Sequence, residues 1–99
     1  MAIYSDNSSK PGTIVASTTD GTLRGNSWNS QNLSVTLQPN TAYWIMYNGN
    51  GDDSSLNYTF YDDVSSRIGY WKGCDFGNWP QKLTGGPMVR AQYSMCVEF

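Results

Sequence analysis

Met88-Val89-Arg90-Ala91-Gln92-Tyr93-Ser94-Met95-Cys96-Val97-Glu98-Phe99 ends the chain on a two-residue period held to the last position. Val89, Ala91, Tyr93, Met95, Val97 and Phe99 fall on one side, and Arg90, Gln92, Ser94, Cys96 and Glu98 on the other. Side chains alternate across an extended backbone, so this pattern predicts one long, half-buried strand over residues 88–99. No stretch elsewhere carries a helical period. The fold is therefore read as all-β.

Working outward, the other strand candidates are shorter and divided by turn chemistry. Ala2-Ile3-Tyr4 is apolar and stops at Ser5-Asp6-Asn7-Ser8-Ser9-Lys10-Pro11-Gly12. A strand over 13–17 follows, with Ile14 and Ala16 on one side and Val15 on the other. Asp20-Gly21 is a hairpin signal. Leu33-Ser34-Val35-Thr36-Leu37 alternates, which points Leu33, Val35 and Leu37 inward. Residues 41–47, with Tyr43, Trp44, Ile45 and Tyr47, are the most β-prone and read as a central strand. Leu56, Tyr58 and Phe60 mark another strand, and Ile68, Tyr70 and Trp71 one more. Residues 73–86, rich in Gly, Asn, Pro and aromatics, read as an irregular packed loop. Many short strands joined by turns predict a small two-sheet antiparallel β-sandwich of jelly-roll type, with a partly open β-barrel as runner-up.

At 99 residues the expectation is a single domain over 1–99, or a fragment of a longer protein, with a thin core. Charged residues make up 14%, against about 25% in ordinary soluble domains, so Asn, Ser, Thr, Gln and Gly carry the polarity. Such a surface suits a secreted or cell-surface protein. The formal charge is -2, and Lys10, Arg24, Arg67, Lys72, Lys82 and Arg90 are scattered. That excludes the basic stripe a nucleic-acid or anionic-membrane surface requires. No apolar run approaches the roughly 20 residues that span a bilayer. No signal peptide opens the chain, and Met1 reads as an initiator placed on an excised segment.

The runs Ala2-Ile3-Tyr4-Ser5-Asp6-Asn7, Lys10-Pro11-Gly12 and Thr13-Ile14-Val15-Ala16 are followed by residues 33–37 and by Thr41-Ala42-Tyr43-Trp44-Ile45. Together they resemble a pattern of bacterial extracellular β-sandwich accessory modules, over roughly residues 2–47. The resemblance implies a jelly-roll, carbohydrate-binding-like module of a large secreted or surface protein. In that pattern other strands precede the Tyr4-Ser5-Asp6 strand, whereas here it begins the chain. Either the C-terminal half supplies its neighbours, or an open strand edge is completed by a second copy.

The expected function is non-catalytic glycan recognition. Aromatic residues are 14% of the chain, including four tryptophans. Trp28, in Asn26-Ser27-Trp28-Asn29, and Trp79, in Gly77-Asn78-Trp79-Pro80, lie in polar loops where no strand pattern demands burial. Exposed, they offer flat faces for sugar rings, with Asn26, Asn29 and Asn78 bonding hydroxyls; the competing reading makes both rings plugs for the ends of a thin sandwich. Trp44 and Trp71 read as core. Asn50, Asp52 and Asp53 form an oxygen-rich loop, a candidate for calcium; no other cofactor is indicated. Cys74 and Cys96 allow one disulfide, contributing roughly 3 kcal/mol if formed, or are two ordinary free thiols. With no histidine and no carboxylate pair suited to a cleft, an enzyme is not expected. The alternative function is a structural or assembly module that self-associates or docks in a surface protein, fibre or virion, with a small hydrolase as a minor third.

Overall fold

The computed structural model describes residues 1–50, 61–62, 66–70, 74–83, 86, 88–90, 92–93, 95 and 97–98. These form strands and loops with no helix: β1 (Ala2–Asp6), β2 (Pro11–Ser17), β3 (Tyr43–Met46), β4 (Tyr61–Asp62), β5 (Gly69–Tyr70), β6 (Met88–Val89) and β7 (Gln92–Tyr93). The chain is all-β, and its main sheet is antiparallel in the order β2-β1-β3. The expected strand over 56–61 lies outside the described residues apart from Tyr61, as do Trp71, Asp52, Asp53 and Cys96.

The centre of this sheet is β1. The 41–47 stretch does form a strand, β3, which pairs with β1; the strand expected after it, 56–61, lies almost wholly outside the described residues. Ala2, Ile3 and Tyr4 are all buried, so both faces of β1 are covered. Ala2 and Tyr4 share a cluster with Leu83, against which Ile14, Trp44, Met46 and Trp79 pack. An apolar Ala-Ile-Tyr run reads as a strand end in sequence; enclosure between two partners makes it the core.

The hairpin that joins β1 to β2 falls within the 5–12 turn expected from sequence. It is at Ser8-Ser9, both in the left-handed region (φ 55 and 64). Asn7 N donates to Lys10 O (2.8 Å) and Ser9 N to Asp6 Oδ2 (3.1 Å). Positive φ at both central residues gives the two-residue turn whose twist matches the flanking strands. Asp20 and Gly21 instead lie in exposed coil beyond β2.

Two irregularities bend β2. Ile3 pairs with Ala16 but Tyr4 pairs with Ile14, leaving Val15 as an extra residue; a second shift falls between Tyr4–Ile14 and Asp6–Pro11. There Ser5 Oγ accepts Thr13 N–H (3.0 Å), a donor the ladder no longer meets. The far edge of β2 bonds residues 81–83: Ile14 N donates to Gln81 O and Leu83 N to Gly12 O, both at 2.9 Å. This brings Leu83 into the core.

The 33–37 stretch keeps its alternation, with Leu33, Val35 and Leu37 half-buried and Ser34 and Thr36 exposed, but it forms no strand. The single long strand over 88–99 is corrected also. Residues 88–89 pair with 69–70, while 92–93 pair with 61–62, so the stretch is split between two short ladders. The paired residues are unequally spaced, Asp62 and Gly69 seven positions apart against three between Val89 and Gln92, so the two ladders do not share one continuous register.

Candidate functional site

Beyond β2 the chain leaves the sheet at Thr18, whose N–H still bonds Met1 O (2.9 Å). Residues 21–31 then make an excursion that returns on itself. Its neck is closed by Gln31, whose side-chain amide occupies the space a Cβ on Gly21 would need. The root is held nearby: a Cβ on Gly77 would lie 3.6 Å from either carboxylate oxygen of Asp20. The 21–31 excursion therefore starts beside the turn that carries Asn78 and Trp79.

The tip is clamped by one side chain. Asn29 Oδ1 accepts Arg24 N–H (2.7 Å), while Asn29 Nδ2 donates to Arg24 O (2.9 Å) and Ser27 O (3.0 Å). Ser27 Oγ adds a bond to Arg24 O (3.2 Å). Asn26 takes the left-handed conformation (φ 53), which asparagine tolerates better than most residues. The result is a compact Ω-type loop closed by its own polar groups. Trp28 projects from it with 77% of its surface exposed.

The five expected ligand-binding residues thus separate. Trp28 is a free aromatic face. Asn26 is exposed, and its side chain has no hydrogen-bond partner among the described residues. Asn29 uses both of its donors inside the loop, where it shapes the site. Asn78 is exposed in the 75–78 turn, where its N–H donates to Asp75 O (3.0 Å). Trp79 has a different setting. It is half-buried against Ala2, Tyr4 and Leu83, the end-plug reading of that ring. Trp28 and Trp79 make no ring contact with each other.

Trp44 is half-buried as expected; its indole N–H donates to Asp6 Oδ1 (2.8 Å), and its ring meets Tyr70 edge-on (centroids 5.4 Å apart, 79°). Of the calcium candidates, Asn50 is exposed and Asp52 and Asp53 lie outside the described residues. Cys74 is an exposed free thiol, and its Sγ accepts a long bond from Asn48 Nδ2 (3.5 Å). Its candidate partner, Cys96, lies outside the described residues.

One cleft of about 400 Å³ opens between the Ser8-Ser9 hairpin and residues 82–83, lined by Ser5, Asp6, Asn7, Thr13 and Lys82 among others. Its polar groups are largely committed. Asp6 accepts from Trp44 and Ser9, and Ser5 from Thr13. Beneath it Tyr4, fully buried, donates to Pro80 O (2.7 Å). Burial raises the Tyr4 phenol above its usual value, and the charge of Cys74 raises it further. Among the described residues, loop 21–31 holds the most exposed aromatic ring, that of Trp28.

No protein-family model, curated protein or solved structure matches the chain.

Proposed function

We propose that the chain is a non-catalytic binding module that recognises glycan by stacking a sugar ring on Trp28. The observation that carries this reading is a tryptophan left 77% exposed on a loop fixed by four internal hydrogen bonds. Burying a Trp face is a large apolar gain, and a loop already ordered loses little entropy on binding. The side chain of Asn26, two residues away, supplies a donor and an acceptor for ring hydroxyls. A surface rich in neutral amides and hydroxyls fits an extracellular module, the location proposed here.

The architecture proposed with it is a small two-sheet sandwich. Its support is the contact between Trp44 of β3 and Tyr70 of β5, which joins the main sheet to the β5–β6 ladder. Trp28 lies away from that contact, on a connection rather than a strand, where binding residues of β-sandwiches can vary without disturbing the core.

Titration with soluble polysaccharides, followed by tryptophan fluorescence and calorimetry, tests the function. Saturable binding that Trp28→Ala abolishes, with an unchanged circular dichroism spectrum, is the expected result. Binding that survives Trp28→Ala moves the site elsewhere. Silence across the panel, with a molecular size that grows with concentration, selects self-assembly instead.

A further inference from the structure

Between Asp20 and Asp52 the chain carries one charge, and it is Arg24. Its position is not neutral with respect to the site. Arg24 is the base of the Trp28 clamp: its N–H and its carbonyl are both tied to Asn29, and the carbonyl also to Ser27. The backbone is fixed by these bonds while the side chain is exposed. Among the described residues its guanidinium makes no ion pair and no ring contact, with Trp28 or any other aromatic. One ordered loop thus holds a flat apolar ring and an uncommitted planar cation four residues apart.

A neutral sugar would use the ring and the amides and leave the guanidinium idle. The geometry a guanidinium matches is the paired oxygens of a carboxylate or sulfate. Phosphodiester backbones fit less well: a strand of nucleic acid needs several cations in line, and loop 21–31 has one.

We infer that loop 21–31 takes an acidic glycan, one whose sugar rings bear carboxylate or sulfate, with Trp28 stacking the ring and Arg24 pairing with the anion. This rests on the glycan reading of Trp28 and specifies its substrate class.

The test uses the intact chain against four probes: polygalacturonate, the same polymer fully methyl-esterified, a sulfated galactan and a neutral glucan, with an oligothymidylate as competitor class. Binding to polygalacturonate or to the sulfated galactan is expected, and which of the two binds identifies the anion. Arg24→Gln is expected to weaken it by roughly tenfold, the scale of one charge-assisted contact. Arg24→Lys should recover part of that loss, and esterification should match Arg24→Gln in effect on polygalacturonate. Binding of the esterified polymer or the neutral glucan as tight as that of the acidic polymers, or an Arg24→Gln protein that binds as wild type, overturns the inference while Trp28-dependent binding leaves the glycan reading standing. Tighter binding of the oligothymidylate overturns both, as does failure of all four glycans.

Discussion

Ser9 stands where the hairpin demands a left-handed residue, and serine meets that demand at a cost. A residue bearing a Cβ loses about 1–2 kcal/mol in this region, partly offset because glycine is freer when unfolded. Ser9→Gly keeps the N–H that bonds Asp6 Oδ2 and should stabilise the chain by about 0.5 kcal/mol, raising Tm by a few degrees. A lower Tm in a thermal melt would contradict the turn assigned to Ser8-Ser9. Asn29 poses the opposite case, a residue whose value is local. Asn29→Ala removes three of the four bonds that shape the Trp28 loop, none of which reaches the sheet. Amide exchange at Arg24 should speed up by an order of magnitude or more while exchange in β1 is unchanged, since loops open independently of the core. Slowed or unchanged exchange at Arg24 would mean that the loop is held by something other than Asn29. The competition at Asn29 was invisible in sequence: an asparagine beside an exposed tryptophan looks like a ligand-binding amide, and only the return of the chain onto Arg24 turns it into a clamp.

At the scale of the element, β2 shows what a bulge requires. A Cβ on Gly12 would lie 2.8 Å from Ser5 Oγ and 3.2 Å from Ser5 O, whereas one on Gly25 would meet nothing within 4 Å. Gly12→Ala should therefore cost about 1–3 kcal/mol through forced shifts at the point where β2 passes from β1 to residues 81–83. Gly25→Ala should be neutral or slightly stabilising by its effect on the unfolded chain. Urea denaturation of the two variants checks the pair, and an equal loss in both would deny the close approach at Gly12. These bulges also explain how far the strands could be read in advance. An apolar run located β1, side-chain alternation β2 and β-propensity β3, each to within a few residues. Alternation could not rank β1 as central, since Ala2-Ile3-Tyr4 is too short to show a pattern of its own. Nor could it see that 88–99 would divide, because its period is unbroken while the residues it pairs with, 61–62 and 69–70, are spaced differently. At 33–37 the burial alternates as expected without a ladder, so the pattern reported packing and not hydrogen bonding. The polar flanks of Trp28 and Trp79 left exposure and burial open for both rings; Trp28 is exposed, whereas Trp79 packs beside Leu83 and Tyr4.

For the whole molecule, the buried apolar residues among those described are Ala2, Ile3, Tyr4 and Leu83, three of them consecutive on β1. A core so concentrated makes stability sensitive to its one member from another segment: Leu83→Ala should cost about 2–4 kcal/mol, a large share of the 5–15 kcal/mol typical of a domain. Tyr4 ties that core to pH. Its phenol is fully buried and donates to Pro80 O, and burial first, then the charge of Cys74, raises its pKa above 10.0; burial raises Tyr47 in the same direction. A raised pKa means that the folded chain holds the proton more tightly than the unfolded one. The contribution of these groups to stability is therefore complete below the unfolded value near 10.0 and is lost as pH rises through the folded value. Stability should be flat in this respect at neutral pH and fall above about pH 10. Tyr4→Phe separates the two roles of the residue. Loss of the bond to Pro80 should lower stability at pH 7 by about 1 kcal/mol, while the alkaline decline becomes shallower and keeps the part that Tyr47 supplies. Cys74→Ser should bring the Tyr4 titration, followed by tyrosinate absorbance, back toward 10.0 without reaching it, because burial is the larger cause. An alkaline slope identical in wild type and Tyr4→Phe would place the pH sensitivity outside β1, and with it the claim that this one strand governs the stability of the molecule.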